Sequence, residues 1–367
     1  MRIAVVGGGL MGLSVAWAAI KAGHKVVLIE QGKLPNPLGT SVDQHRLIRH
    51  PYGASLAYCR LIDPAFAAWE ALWSDLGERL YHQTGTLALI YDDSDWGAQS
   101  RRNLALAGVP FHDIDVADVP RRWPQILPGQ AIGAFFVESG GALLAGRIIE
   151  RLARWLGAQG AEIRTETAVR AAEADTGALV LADGERIVAD RIVVAAGAWL
   201  PRLVPRYRGR AVPSRQIVVY VEPPEELRAA WAASPMFLNI DEAHGFYVVP
   251  PVPGTGLKIG DHRFSRVGEP DRDRTASEAE GRAVLAACRG RLAGFERFRM
   301  GEIKTCFYTV TEDESFLAET EGRMIVLSAC SGHGFKFGAV IGKMTVEALE
   351  GRRAPDQLRA VLGGRGT

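Results

Sequence analysis

Apolar residues follow two periods along this chain, and the first ninety or so positions show both. Ile3–Val6 is an unbroken apolar run, Leu10–Ala22 repeats apolar residues at helical spacing up to Gly23, and Lys25–Glu30 opens a second β-branched run. That order predicts strand, helix, strand. A helical pattern returns at Ile148–Gly157, where Ile148, Leu152, Trp155 and Leu156 recur and Gly157 and Gly160 close it. Strand-like pieces follow at Glu162–Thr165, Ala178–Ala182 and Arg191–Ala196, with a turn at Asp183-Gly184. Near the end come a strand over Met324–Ala329, a glycine-rich turn at Ser331–Gly334, and a helix to about Leu349 stopped by Gly351.

Between these α/β pieces the texture changes. Residues 81–139 and 213–314 hold short alternating runs such as Thr86–Tyr91, Gln216–Val221, Gly245–Val249 and Gly256–Gly260. Alternation at period two predicts a mostly antiparallel sheet with one face covered. No repeat, low-complexity tract or linker-like break separates the segments. The expected fold class is α/β: a Rossmann-type domain from residues 1–80, 140–212 and 315–367, interleaved with an α+β substrate domain from 81–139 and 213–314.

Composition adds exclusions. The 367 residues, 47% hydrophobic and 23% charged, suit a globular enzyme with a sizeable core. The 43 basic and 42 acidic side chains nearly cancel, so no overall field draws nucleic acid or an anionic membrane. Cys59, Cys288, Cys306 and Cys330 lie far apart with no C-x-x-C pair, which argues against a zinc site or disulfide framework and suits a reducing cytoplasm. Ile3–Ile20 is free of charge and has the length of a signal peptide or membrane span. The glycines at 7, 8, 9 and 12 break it into strand, turn and helix, so a cytoplasmic protein without targeting segment or membrane partner is expected.

The strongest chemical signal is Gly7-x-Gly9-x-x-Gly12 in its context. It leaves a strand, opens a helix, and is followed at the end of the next strand by Glu30, eighteen residues beyond Gly12. Gly7 permits the tight turn, Gly9 lets backbone approach a pyrophosphate, and Gly12 lets helix and strand pack closely. Glu30 can accept from ribose hydroxyls, and no arginine follows at once to prefer a 2′-phosphate. FAD and NAD share this fingerprint. Two features resemble FAD proteins: the strand Ile192–Ala196 running into Gly197-Ala198-Trp199, and the turn Ser331–Phe337 with Gly332 and Gly334 before a helix, whose positive end could face a reduced flavin.

Four further segments carry a resemblance. Arg46-Leu47-Ile48-Arg49-His50-Pro51-Tyr52-Gly53, Gly256-Leu257-Lys258-Ile259-Gly260-Asp261-His262, Thr305-Cys306-Phe307-Tyr308-Thr309-Val310-Thr311-x-Asp313 and Ser331-Gly332-His333-Gly334-Phe335-Lys336-Phe337 run in family order. Together with the opening glycines they resemble monomeric sarcosine oxidase and its relatives: N-methyltryptophan, pipecolate and fructosyl amino acid oxidases of the D-amino acid oxidase superfamily. The likeness spans essentially the whole chain, and its cysteine and Ser-Gly-His-Gly-Phe-Lys motifs are the most specific.

The resemblance implies an FAD-dependent oxidase of a secondary amine or N-alkyl amino acid. Hydride would pass from the α-carbon to flavin N5, the imine would hydrolyse, and O2 would be reduced to peroxide. It implies that Cys306 holds the flavin covalently, that Arg49 and Lys336 bind the substrate carboxylate, and that Lys258, with Arg46, promotes the oxygen reaction. His262, Tyr247 and Tyr308 would line the substrate side of the ring. Taken singly, a cysteine is more often a small buried hydrophobe, an arginine a solvated charge and a histidine a structural core residue. In a strand, Lys258 and His262 fall on the side away from Leu257 and Ile259, an alternation that an exposed polar face would also produce. No metal site is implied. The family's histidine and small polar run before the two arginines is replaced by Ser41-Val42-Asp43-Gln44-His45, and Asp261 stands where an apolar or aromatic residue is expected. Asp261 is therefore expected to raise the pKa of His262 or to alter what the pocket accepts. The rival readings are a dehydrogenase of the same fold using a quinone or carrier protein, a non-catalytic FAD-binding protein, and an NAD-linked dehydrogenase.

Overall fold

The computed structural model of the chain describes residues 1–240, 245–328 and 330–365. The predicted βαβ opening is present as β1 (Arg2–Val6), α1 (Leu10–Lys21) and β2 (Lys25–Ile29). β1 lies inside a six-stranded sheet whose order is Leu317–Glu321, Met324–Ser328, Arg191–Val194, β1, β2, Glu162–Arg164. Neighbours are parallel except for the outermost pair. Four of the five residues of β1 and of β2 are buried, as parallel strands covered on both faces must be. The predicted last residue of the strand at Met324, Ala329, lies outside the described residues.

The helix Gly338–Leu349 packs on α1 through glycines. A Cβ at Gly342 would sit 2.4 Å from the carbonyl oxygen of Ser14, and one at Gly338 would sit 2.4 Å from Leu10 Cδ2. The two helices can approach this closely only because side chains are missing there.

Two details differ from the pattern reading. The helix Ala145–Ala158 runs through Gly157, because Ile148, Ile149, Leu152 and Leu156 are all buried and their packing outweighs a propensity cost of about 1 kcal/mol. The longest helix, α2 (Leu56–Leu76), is not among the predicted elements. Ser55 caps it by accepting from Tyr58 N, Gly77 ends it in the left-handed region, and Pro64 sits in its third turn. Tyr58, Cys59, Leu61, Ile62, Ala65, Ala68, Trp69, Leu72 and Trp73 form its buried stripe.

The second large sheet has eight strands in the order Arg299–Val310, Val212–Glu222, Leu257–Asp261, Phe246–Val249, Met236–Asn239, Thr86–Ile90, Gly133–Val137, His112–Ile114. Only the pairing of Met236–Asn239 with Thr86–Ile90 is parallel. Leu87, Leu89, Val219, Phe237, Phe246, Val248, Leu257 and Ile259 share the core on one face. Side chains alternate along a strand, so Tyr247 and Lys258 point to the other face. A three-stranded sheet of Arg46–Ile48, Gly141–Leu143 and Tyr81–Gln83 fixes the segment that carries Arg46. No helix among the described residues is long and apolar enough to cross a membrane.

Candidate functional site

One cavity of about 670 Å³ begins at the first βα turn and ends against the face of the eight-stranded sheet that bears Tyr247 and Lys258. Gly7, Gly8, Gly9, Glu30, Ser41, Ala196 and Gly197 line its first part. Gly7 is left-handed (φ +108°), and a Cβ there would lie 2.4 Å from the carbonyl oxygen of Ala195. α1 starts at Gly9 with no side-chain cap from that residue and no acid in its first turn; Leu10 N donates to Ser41 Oγ at 2.9 Å, and the N–H groups that follow it leave the positive end available to an anion. Gly12 lies behind the wall, where a Cβ would be 1.9 Å from the carbonyl oxygen of Gly7. This is the helix–strand packing role expected of the third glycine. Glu30 accepts from Gly8 N at 2.6 Å through Oε2, and from Gly32 N and Asn36 Nδ2 at 2.9 and 2.8 Å through Oε1. Most of its acceptor capacity therefore braces the loop, which leaves Oε2 the freer oxygen for a ribose. Backbone turn, free helix end and acid fit the pyrophosphate and ribose of a dinucleotide cofactor.

Gly12→Ala tests that fit. The clash is backbone against a new methyl, and overpacking of this kind costs about 1–3 kcal/mol even where side chains can adjust. The variant is expected to purify with much less bound flavin per chain, read from its visible absorbance. Full flavin content would contradict the geometry.

The far end of the cavity is cationic. Arg49 and Lys336 are 7% and 3% exposed, both line the cavity, and neither has a carboxylate partner among the described residues. Arg49 donates to Pro51 O, its guanidinium stacks 5.0 Å from the ring centres of Tyr52 and Trp96, and its buried Nε has no hydrogen-bond partner. Lys336 Nζ donates to His333 O at 3.0 Å and to Tyr52 Oη at 3.2 Å. The turn that bears it is held from behind by Trp69 Nε1, which donates to Lys336 O at 2.7 Å. Burial and the neighbouring Arg49 push the Lys336 ammonium well below its ordinary pKa.

His333 connects these parts. Its Nδ1 lies 2.8 Å from Tyr52 Oη and its Nε2 3.0 Å from Glu314 O. Burial, then Lys336, holds its pKa well below the usual histidine value, so the ring is neutral. A proton on Nε2 satisfies both contacts: Tyr52 then accepts from Lys336 and donates to Nδ1.

His262 also lines the cavity and is pushed down to about 4 by burial first and then by Arg49 and, less, Lys336. The expected upward push from Asp261 does not occur. That carboxyl is itself raised by burial, and the cations dominate the field at the imidazole. Lys258 is 1% exposed, and burial lowers it to about 8 against the opposing pull of Asp43. Arg46 lies beside it, donating to Asp43 and, at 2.8 Å, to Thr40 O.

Of the residues singled out in the sequence, Gly7, Gly9, Glu30, Arg46, Arg49, Gly197, Tyr247, Lys258, His262, Tyr308, Gly332, Gly334 and Lys336 meet at this one cavity. Cys306 does not reach its wall. It shares a strand face with Tyr308 but is not among the cavity-lining residues; the Thr40 hydroxyl donates to the carbonyl of the adjacent Phe307, and burial pushes the Cys306 thiol up to about 11. Cys330 does line the cavity. Tyr52 and His333 stand in the recognised motifs without an assigned task. Asp43 was singled out only as a departure, and Trp96 carried no signal.

A dinucleotide cradle joined to a buried cationic pocket defines a cofactor-dependent oxidoreductase. The model of the family described as FAD dependent oxidoreductase matches residues 2–348, and the chain belongs to that family. It is 27% identical to the monomeric sarcosine oxidase of Bacillus sp. (strain B-0618), covering 96% of this chain and 93% of that one. It is 25% identical to the N-methyl-L-tryptophan oxidase of Yersinia pestis (strain Pestoides F), with 97% and 96% covered. Among solved structures, the L-proline dehydrogenase of P. horikoshii superposes with a TM-score of 0.83 at 20% identity, covering 96% of this chain and 94% of that one.

Proposed function

We propose that this flavoenzyme oxidises the carbon–nitrogen bond of a secondary amine or N-alkyl amino acid, with dioxygen as the electron acceptor. The observation that carries the reading is the pair Arg49 and Lys336: two buried cations lining one cavity, with no carboxylate partner among the described residues. Buried charge is costly unless paired, so the missing partner belongs to a ligand, and a carboxylate matches an arginine fork beside a lysine point charge. Bound FAD would supply the hydride acceptor and the route of electrons to oxygen.

The chain's own groups orient that chemistry. Arg49 and Lys336 fix the carboxylate, which places the adjacent amine and its α-carbon along the wall formed by Tyr247, His262 and Tyr308. His262 is neutral before substrate arrives, so it can accept the ammonium proton and leave the amine lone pair free. The incoming carboxylate cancels the cations that depress its pKa, and the imidazole becomes a better base as the substrate binds. Lys258, with Arg46, offers fixed positive charge on the sheet side where charge develops on oxygen. Imine hydrolysis needs only water.

Anaerobic mixing with sarcosine, other N-methyl amino acids, pipecolate, proline and glycated amino acids is expected to bleach the flavin with at least one. Admission of air should then release peroxide. Bleaching without peroxide would favour the second reading, a dehydrogenase feeding another acceptor, which the likeness to an L-proline dehydrogenase keeps in view. No bleaching by any of them would count against catalysis.

Covalent attachment through Cys306 belongs to the same proposal. Cys306→Ser should turn colour that stays with the acid-precipitated protein into colour released to the supernatant. Retention in the variant would move the tether to Cys330. We also propose two interleaved domains, 1–80, 140–212 and 315–367 against 81–139 and 213–314, which the separate six- and eight-stranded sheets support. The four free cysteines support a cytoplasmic setting.

A further inference from the structure

Behind the cationic wall lies a carboxylate that the reading above does not use. Asp43 is 4% exposed and does not line the cavity, yet both of its oxygens are engaged. Oδ2 accepts from Lys258 Nζ at 3.2 Å and from Arg46 Nη1. Oδ1 accepts from Tyr220 Oη at 2.7 Å and Gln44 N at 2.9 Å, and Lys304 Nζ lies 3.5 Å away. Burial alone would favour the neutral acid. Arg46, Lys258 and Lys304 together outweigh it and hold the carboxyl well below its usual range.

Lys258 has three N–H groups to place. One goes to Asp43, one to His45 O at 2.5 Å, and the third is left for the cavity that the residue lines. We propose that Asp43 is a positioning residue: its buried carboxylate anchors Lys258 and Arg46 from behind and keeps Lys258 an ammonium facing the cavity.

The inference rests on the reading that Lys258 serves the oxygen reaction, and it adds what makes that lysine fit for the task. A buried ammonium beside a guanidinium loses its proton easily, and an opposite charge within about 4–6 Å reverses this by roughly 1–3 pH units. The groups around Lys258 are Asp43, His45 and Arg46 from the loop, Tyr220 from one neighbouring strand, Tyr247 from the other, and Cys306 and Lys304 from the strand beyond. Asp43 is the one acid among them that is charged at neutral pH. Without it, Lys258 faces two other cations alone.

The test uses the holoenzyme with Asp43→Asn, Asp43→Glu and Lys258→Met. In Asp43→Asn, oxidation of the reduced flavin by oxygen is expected to slow by about tenfold or more at pH 8. It should recover toward the parent rate as pH falls to 6, while anaerobic reduction by substrate changes little. Lys258→Met should be slow at every pH, and Asp43→Glu should behave as the parent.

Sulfite affinity supplies a readout apart from turnover, because sulfite addition leaves negative charge on the ring. If Lys258 loses its proton in Asp43→Asn, sulfite binds more weakly than in the parent at the same pH. If Lys258 stays charged, removal of the carboxylate tightens sulfite instead, and that result, or a pH-independent oxygen rate, overturns the proposal. Lys258→Met with parent-like oxygen rate and sulfite affinity would overturn the Lys258 reading itself, a separate outcome. Should Asp43→Asn not fold, Lys304→Met replaces it. Relief of a competing cation should extend the oxygen reaction to higher pH, and no extension counts against Asp43.

Discussion

Replacing Arg49 or Lys336 by Met is expected to weaken the substrate carboxylate by roughly 30-fold to several-thousand-fold, the range for removing one partner of a buried, hydrogen-bonded charge pair (about 2–5 kcal/mol). The loss should fall on acids and spare amines without a carboxylate, because the two cations have no other carboxylate partner among the described residues. Arg49→Lys should recover only part of it, since a point charge cannot replace a planar fork. The pH dependence has a definite sign. Burial and Arg49 depress the Lys336 pKa in the free protein, and a bound carboxylate raises it again. Between those two values binding takes up a proton, so affinity for the carboxylate falls as pH rises. Anaerobic titration of the flavin spectrum with a carboxylate ligand, across pH and for each variant, checks both points. Equal affinity for the acid and its methyl ester in the parent protein would remove the basis of the cradle.

The second large effect concerns Lys258. Its Met variant should react with oxygen about 10²–10³ more slowly, the loss seen when one preorganised charge or donor is taken from a developing anion. Reduction by substrate should be nearly unaffected, because Lys258 is held by Asp43 and the proposed carboxylate partners are Arg49 and Lys336. Stopped-flow measurement of the two half-reactions separates them. Equal slowing of both would place Lys258 in substrate binding or in structure, and a full oxygen rate would remove it from the mechanism.

The parts of the molecule that could be read from the sequence are those where one segment contains its own partners. The βα turn at Gly7–Gly12 is local, and so is the alternation that puts Leu257 and Ile259 in the core and Lys258 opposite. The cationic cradle was reachable because Arg49 and Lys336 stand in long motifs, although 287 positions separate them. What escaped depends on distant contacts. α2 carries a clear stripe from Leu61 to Trp73, but Pro64 marks a break to any local rule, and only packing keeps the helix whole. Asp43 reads as a loop acid until Lys258, Lys304 and Tyr220 arrive from three strands more than 170 residues away. Trp96 is the first residue of its helix, just after the capping Asp95, and carries no local signal until Arg49 stacks on it. The sign of the His262 shift has the same origin: Asp261 is next in sequence, while the burial that chiefly lowers the imidazole, and the cations that add to it, arise only from the fold.

The glycine seam between α1 and the helix Gly338–Leu349 bears on how the protein is made. β1 and α1 leave the ribosome long before the helix that covers α1 and the turn that carries Lys336, which emerge some three hundred residues later. Until then the face of α1 that this helix covers stays open. A nascent chain arrested before Gly338 would have nothing to seal that surface and would be a client for chaperones.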